Sequence, residues 1–197
     1  MSTRPTNSSG VLLVVSGPSG VGKTSIVRPI EERFGGVFSV SATTRPPAGG
    51  EVEGRDYHFL SSEQFEAMVD RGEFLEHARV FGLHFYGTPR DPVEKRLAEG
   101  RLIILDIDVQ GAFQVKRAMP EAFMLFILPP GDEELLRRLL ARAREPEAMI
   151  QSRFAEAKRE IELARTSGVY DATVVNDDLD RAIEEACQLV RERLGLV

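Results

Sequence analysis

The sequence is poor in the features that direct a chain to a membrane, an oxidising compartment or a nucleic acid. Its single cysteine, Cys187, excludes an internal disulfide and is typical of a reducing compartment. No apolar run approaches the ~20 residues that span a bilayer, and residues 1–10 are polar, unlike a signal peptide. A net charge of −6 argues against a general nucleic-acid binder, which usually carries a basic face. We therefore expect a cytoplasmic protein with no membrane or nucleic-acid partner and a disordered tail over residues 1–10.

Two further features limit the chemistry. No metal-ligand spacing connects the three histidines, which we interpret as structural or surface residues: His58, His77 and His84. Cys187 lies in an amphipathic helical pattern, which predicts an inert thiol buried against the core. The chain has 197 residues, 42% of them hydrophobic, which is enough for one sizeable core.

Short apolar runs alternate with helical patterns along the chain. The runs that predict strands are 11–16, 37–40, 73–80, 102–105, 123–128 and 173–175. Helices are predicted after the turn that follows residue 16, from Ser61, from Thr88, over 132–164 with a break at Pro146, and over 179–194. This alternation predicts an α/β fold, with a mostly parallel sheet and helices on both faces. Residues 41–86 and the arginine-rich helical pair look like insertions into that sheet.

Three local signals concern the helices themselves. Ser61 and Gln64 have the Ser-x-x-Gln form of a capping box. Thr88 followed by Pro89 predicts an N-cap with a proline in the first helical turn. Pro29 lies inside the first helical pattern and removes one backbone donor, so we expect a kink or a shortened helix there.

A glycine-rich turn between the first strand and the first helix matches the phosphate-binding pattern G-x-x-x-x-G-K-[ST]. Its residues are Gly17, Pro18, Ser19, Gly20, Val21, Gly22, Lys23 and Thr24. In this pattern, inward-turned backbone N–H groups and the positive end of the following helix hold phosphates. Lys23 adds a cation for the β- and γ-phosphates, and the Thr24 hydroxyl can hold Mg²⁺. We therefore predict a nucleoside triphosphate site.

A carboxylate supports this prediction. Asp106 ends a buried apolar run, where this architecture is expected to provide a second support for Mg²⁺, directly or through water. The alternative is a surface aspartate that opens a turn.

Several further motifs follow in order. They are S-A-T-T-R-P-P from Ser41, G-E-V-E-G-R-D-Y-H-F from Gly50, G-E-F-L-E from Gly72, Y-G-T from Tyr86 and D-I-D-V-Q-G from Asp106. With the P-loop, they closely resemble the guanylate kinase family over about residues 11–193. The resemblance implies in-line phosphoryl transfer from ATP to GMP with Mg²⁺.

The same resemblance implies a three-layer, P-loop NTPase-like α/β fold. Its mostly parallel sheet would carry a small mixed α/β GMP-binding insert and a helical lid. The implied core covers about residues 11–40, 89–129 and 168–197. The insert would cover about residues 41–88, and the lid about residues 130–167.

The resemblance also assigns residues to the GMP site. The matching positions are Ser41, Arg45, Tyr57, Glu76, Tyr86, Thr88 and Asp108. Glu76 and Asp108 would accept from the N–H groups of guanine, whereas adenine presents an acceptor at N1 and would be rejected. Arg45 and the two tyrosines would hold the GMP phosphate, and the hydroxyls of Ser41 and Thr88 would reach O6 or nearby atoms. Thr88 as a mere N-cap, the tyrosines as ordinary amphipathic aromatics and Glu76 as a solvated strand residue remain alternatives.

On the ATP side, the resemblance implies lid arginines that contact the phosphates. They are Arg138, Arg142 and Arg153, which with Lys23 and Arg45 form the predicted catalytic set. The alternative is solvated charge that pairs with nearby glutamates, Glu133, Glu134 and Glu145. Asn176 matches the family's segment near adenine and is predicted to contact that base.

One position departs from the family pattern. Ala48, followed by an extra Gly49, stands where the family usually has a second phosphate-binding arginine, and Arg55 and Arg90 are candidate replacements. Two other functions stay open. A kinase of another small phosphate, such as ribose 1,5-bisphosphate, is favoured by Ala48 alone. A non-catalytic guanylate-kinase-like interaction module would typically have lost P-loop residues that this chain retains.

Overall fold

The computed structural model describes residues 10–80, 83–142 and 147–196. The strands are β1 Val11–Ser16, β2 Val37–Phe38, β3 Ala42–Thr43, β4 His58–Phe59, β5 Phe74–Val80, β6 His84–Pro89, β7 Leu102–Asp106, β8 Phe123–Leu128 and β9 Ala172–Val175. The helices are α1 Lys23–Phe34, α2 Ser62–Asp70, α3 Arg90–Ala98, α4 Val109–Ala118, α5 Asp132–Arg142, α6 Glu147–Ser167 and α7 Leu179–Arg193. No helix in these ranges is long and apolar enough to cross a membrane.

The larger sheet is parallel throughout, as the alternation of strands and helices predicts. Its five strands lie in the order β2-β7-β1-β8-β9. Val15 pairs with Asp106 of β7, and Ser16 pairs with Phe126 of β8. The carboxyl ends of β1 and β7 therefore meet at one edge, where ligands bind in open sheets of this kind.

Helices cover both faces of this sheet, and β1 supplies side chains to each of the two resulting cores. Leu13 and Val15 pack with α1 and α7 on one face. Leu12 and Val14 pack with α3 and α4 on the other. A strand that is buried on both faces needs apolar residues at every position, which explains the unbroken run in β1. The predicted inert thiol is confirmed as a buried residue, because Cys187 is 1% exposed in the first core.

A second, smaller sheet follows the order β4-β3-β6-β5 and is mixed. β3 runs parallel to β4 and antiparallel to β6, and β5 runs antiparallel to β6. Its own core contains Ala42, Phe65 of α2 and Phe74 of β5. The capping box at the start of α2 is confirmed, since Gln64 N donates to Ser61 Oγ and Ser61 N donates to Gln64 Oε1.

The arginine-rich helices α5 and α6 pack on each other and on the end of the large sheet. Leu135 and Leu139 of α5 share a cluster with Ile150 and Ile161 of α6 and with Phe126 of β8. α5 ends at Arg142 and α6 begins at Glu147, and the break predicted at Pro146 lies outside the described residues.

Two expectations about helix ends are wrong. α1 is not shortened at Pro29 but continues to Phe34, since Ile26, Val27 and Ile30 anchor it in the core on both sides of the proline. A kink at Pro29 stays a prediction. Thr88 is no N-cap, because it belongs to β6 and pairs with Glu76 of β5, and α3 begins at Arg90 after Pro89. The strand predicted over residues 37–40 is shorter and ends at Phe38.

Candidate active site

The P-loop lies where β1 ends and α1 begins. Lys23 turns back over it, with Nζ donating to Gly17 O at 2.7 Å and lying 3.8 Å from the Asp106 carboxylate. Burial raises the pKa of Asp106, and the neighbouring Lys23 ammonium partly offsets that rise. The predicted phosphate-binding segment and the predicted carboxylate therefore meet at one sheet edge.

Thr24 and Asp106 fit a magnesium ion that also takes ligands from a bound nucleotide. Both line a cavity of about 600 Å³ beside the P-loop. A hydroxyl and a carboxylate are the hard oxygen donors that Mg²⁺ prefers, and the ion usually keeps several waters or substrate oxygens as well. In the described part of the chain, no cluster of three or more metal-ligating side chains exists. Thr24 and Asp106 would leave the other ligand positions of an octahedral Mg²⁺ to water and nucleotide oxygens.

Arg45 lies in the small sheet's loop region with both tyrosines of the predicted phosphate site. Its Nε donates to Tyr86 Oη at 3.2 Å, and its guanidinium lies 5.5 Å from the centre of the Tyr57 ring. The two tyrosine rings are 5.9 Å apart, edge to face. The structure thus brings together the three side chains that the resemblance assigns to one phosphate.

A carboxylate that the sequence reasoning missed holds this arginine. Arg45 Nη2 donates to both oxygens of Glu51, at 2.8 and 3.0 Å, and Ala48 N donates to Glu51 Oε2 at 2.7 Å. The Arg45 guanidinium and the Ala48 amide lower the pKa of Glu51, so it remains ionised. Position 48 therefore contributes a backbone contact to this loop.

Glu76 and Asp108 come together at Gly111, although they lie on different elements. A Cβ atom on Gly111 would lie 2.9 Å from Glu76 Oε2 and 3.4 Å from Asp108 Oδ1. Glu76 is 7% exposed and accepts from Thr88 Oγ1 at 2.6 Å. Burial raises its pKa to about 7, and the Thr88 hydrogen bond opposes that rise. Asp108 caps α4 by accepting from Gly111 N at 2.7 Å.

Comparison with known proteins identifies the family in which this arrangement occurs. A model of the family described as guanylate kinase matches residues 9–193.

The chain belongs to the guanylate kinase family.

Its relatives confirm the assignment. A guanylate kinase of Gloeobacter violaceus is 48% identical over 93% of this chain and 88% of the relative. One from Synechocystis sp. is 43% identical over 98% of this chain and 99% of the relative. The crystal structure of guanylate kinase from Anaplasma phagocytophilum superimposes with a TM-score of 0.72 at 36% identity, covering 95% of this chain and 88% of that one. The chain is accordingly a phosphotransferase of the nucleoside monophosphate kinase class.

A more distant structure shares the fold alone. A gluconokinase from Sinorhizobium meliloti superimposes with a TM-score of 0.54 at 18% identity, over 96% of this chain and 97% of that one. The α/β architecture therefore extends beyond the guanylate kinases, and the fold by itself does not specify the acceptor.

The lid arginines named by the family resemblance have different surroundings. Arg138 donates to Glu134 Oε1 at 2.7 Å and to the backbone oxygens of Val21 and Asn176, at 3.3 and 2.9 Å. Arg153 lines a cavity of about 690 Å³ that also reaches Lys23, Asp106 and Asp108. The side chain of Arg142 lies outside the described residues. Ion pairing with Glu134, the alternative for these arginines, is thus present at Arg138, but it leaves that side chain beside the P-loop.

Three more predicted positions have defined partners. Asn176 is buried, and its Nδ2 donates to Val21 O at 2.8 Å; its contact with adenine stays a prediction. Among the described residues, Ser41 shows no side-chain hydrogen bond, although its carbonyl accepts from His58 N at 2.9 Å. The two candidate replacements for the missing arginine are engaged elsewhere: Arg55 pairs with Asp56, and Arg90 pairs with Glu94.

The cavity between the P-loop and α6 contains residues that the sequence reasoning missed. Arg79, Gln110, Glu156 and Glu160 all line it. Burial raises the pKa of Glu160 to about 7. With Arg153, the two glutamates fall at helical positions i, i+3 and i+7, a spacing that places them on one face of α6 and could have identified them.

Proposed function

We propose that this chain transfers the terminal phosphoryl group of ATP to GMP with Mg²⁺, which yields ADP and GDP. The observation that carries the proposal is the pair of carboxylates, Glu76 and Asp108, that converge on Gly111. Asp108 also lines the cavity that extends to Lys23 of the P-loop. A guanine held by this pair would therefore be in the same cleft as the donor phosphates.

The acceptor would be recognised at two ends. The Glu76 and Asp108 carboxylates accept from the N–H groups on guanine's edge, while Thr88 and Ser41 supply hydroxyls. A base with an acceptor at N1 would leave the buried Glu76 carboxylate and the neighbouring Asp108 facing a lone pair, which is strongly disfavoured. Arg45 and its two tyrosine neighbours would bind the phosphate.

The donor would be held by the P-loop, residues 17–24, through the backbone N–H groups that all of them but Pro18 carry, and by Lys23. Mg²⁺, supported by Thr24 and Asp106, would neutralise charge on the phosphate oxygens. The lid arginines Arg138, Arg142 and Arg153 would add positive charge around the transferred group. No general base is required, because the acceptor is a phosphate oxygen that is already anionic near neutral pH. Catalysis then consists of positioning two anions, neutralising them and excluding water.

The three parts of the chain would then have separate roles. The large sheet, about residues 11–40, 89–129 and 168–197, would hold ATP. The insert of about residues 41–88 would bind GMP, and the lid of about residues 130–167 would cover the phosphates. The free thiol at Cys187 is compatible with work in the reducing cytoplasm.

A coupled assay of ADP release tests the proposal. The acceptors are GMP, AMP and ribose 1,5-bisphosphate, with no acceptor as the blank, and ATP and Mg²⁺ are present throughout. We expect turnover with GMP at or above ~1 s⁻¹ and little with the other acceptors. The matched pair of variants is Glu76→Gln, which should lose turnover with GMP, and Glu66→Gln, an exposed glutamate on α2 that should retain it.

Each alternative has its own outcome in this assay. Turnover with ribose 1,5-bisphosphate and none with GMP would replace the guanine assignment with the other phosphate kinase, the reading that Ala48 alone favours. Bound ATP with no turnover on any acceptor would favour the interaction module.

A further inference from the structure

Asn176 occupies a fixed position beside the P-loop. It follows β9 directly, and its N–H donates to Leu128 O at the end of β8 at 2.8 Å. Only 5% of the residue is exposed. Its backbone is therefore anchored by the large sheet, and its side chain has little freedom.

That side chain contacts the P-loop backbone across 155 positions of sequence. Asn176 Nδ2 donates to Val21 O at 2.8 Å, and Arg138 Nη1 reaches the same oxygen at 3.3 Å. Arg138 also donates to Asn176 O at 2.9 Å. The Val21 carbonyl is thus held by two donors, one from the sheet edge and one from lid helix α5.

The orientation of this carbonyl determines where the next amide points. In a trans peptide the C=O and the following N–H point in opposite directions. A Val21 oxygen pulled toward Asn176 therefore turns the Gly22 N–H to the other side of the loop. In the chain segments described above, no acceptor for that N–H is found. An amide with no protein partner, in a loop of this sequence, is available for a phosphate oxygen.

The backbone conformation of Gly22 leaves room for the hydrogen bond between Asn176 and Val21. Its φ is +94°, a backbone conformation that favours glycine. A Cβ atom there would lie 2.7 Å from Asn176 Nδ2. A side chain at position 22 would therefore collide with the buried Asn176 amide.

We propose that Asn176 is a positioning residue that holds the Val21–Gly22 peptide with its N–H facing the donor phosphates, and that Arg138 couples this peptide to the lid. The inference rests on the proposed function for its ligand, ATP, but not on the identity of the acceptor. It differs from a contact with adenine, because it acts on the phosphates of any nucleoside triphosphate.

The test compares Asn176→Ala and Asn176→Asp with Asp180→Asn, an exposed residue in the first turn of α7. KM and kcat are measured with ATP and with ITP, which lacks the 6-amino group of adenine. We expect Asn176→Ala to raise KM roughly 3- to 10-fold for both donors, while KM for GMP is unchanged. Asn176→Asp should be more severe, because it sets a carboxylate against the Val21 carbonyl. Asp180→Asn should behave as the wild type.

Three results would overturn the inference. An increase in KM with ATP but none with ITP would mean that Asn176 acts on the adenine amine. Unchanged KM values for both donors would remove any role in the cradle. An equal loss toward GMP and ATP would indicate a general structural defect.

A binding measurement separates this inference from the proposed function. The rise in Tm on adding ATP and Mg²⁺ is recorded for each variant, with no acceptor present. We expect Asn176→Ala to reduce that rise and to keep the rise produced by GMP. If the wild type binds ATP but fails to phosphorylate GMP, the proposed function fails and this comparison still decides the role of Asn176. A full rise with ATP in Asn176→Ala would contradict the inference even where catalysis is normal.

Discussion

Two glutamates in the proposed acceptor site differ in protonation, because their surroundings shift their pKa values in opposite directions. Glu51 remains ionised because it accepts from Arg45 and from the Ala48 amide. Glu76 has the opposite tendency, since burial raises its pKa to about 7, although hydrogen bonds from the Thr88 side chain and backbone oppose this rise. Glu51, at the proposed phosphate end, therefore stays ionised near neutral pH, whereas Glu76, at the proposed base end, titrates close to pH 7.

Glu76 makes stability depend on pH. Its pKa in the folded chain, about 7, lies above the ordinary 4.5, so the folded state binds the proton more tightly than the unfolded chain does. This contribution to stability is complete below pH ~4.5 and is lost as the pH rises through ~7. Glu76→Gln should therefore be more stable than the wild type at pH 8, by up to about 3 kcal/mol, and show little difference at pH 5. Urea unfolding at the two pH values measures this.

The control for that experiment is Glu66→Gln, which should change stability at neither pH. A Glu76→Gln variant that is less stable than the wild type at pH 8 would mean that the ionised carboxylate is well accommodated.

In the wild type, KM for GMP should fall as the pH rises through ~7, because the ionised carboxylate is the form that accepts from guanine.

Gly111 keeps room for the two carboxylates. A methyl group there would lie 2.9 Å from Glu76 Oε2, which is closer than real Cβ contacts. Gly111→Ala should raise KM for GMP by about tenfold or more and leave the ATP-induced rise in Tm intact. Gly131→Ala is the matched control, since a Cβ at Gly131 meets nothing within 4 Å. Equal KM values for GMP in both variants would contradict the placement of guanine at this pair.

Among the helices and strands, short sequence patterns predicted the features whose conformation depends on neighbouring residues. The β-branched run of β1, the P-loop between strand and helix, and the capping box at Ser61 all follow from neighbouring residues. A threonine before a proline has the signature of an N-cap, which is why the sequence predicts one at Thr88. The conformation of Thr88 is set by its pairing with Glu76, twelve residues away. The Asn176–Val21 hydrogen bond could not be foreseen, since no local pattern encodes a contact between residues 155 apart.

The capping box of α2 makes a separate contribution to stability. Ser61 Oγ accepts from Gln64 N, and the Gln64 side chain returns a bond to Ser61 N. Ser61→Ala should destabilise the protein by about 1 kcal/mol without changing KM for ATP. Chemical denaturation measures the loss, and Ser62→Ala, in the first turn of the same helix, is the control. Equal stability of the two variants would contradict a role for the box.

The molecule as a whole is acidic, yet a guanylate kinase binds two anionic nucleotides, ATP and GMP. The net charge is −6, so attraction depends on a few cations that converge from separate parts of the chain. Lys23 comes from the P-loop, Arg45 from the loop beside the small sheet, and Arg138 and Arg153 from helices α5 and α6. The family resemblance named these residues from the sequence, but the carboxylates and carbonyls that hold Arg45 and Arg138 emerged only from the folded chain.

Transfer from ATP to GMP can be measured by following the phosphoryl group itself. ATP labelled with ³²P at the γ position is incubated with the enzyme, Mg²⁺ and equal concentrations of GMP and AMP, and the products are separated by chromatography. We expect label in GDP, with almost none in ADP or inorganic phosphate. Label in ADP would mean that the carboxylate pair does not select guanine, and label in inorganic phosphate or unchanged ATP would mean that the chain is not a kinase of GMP.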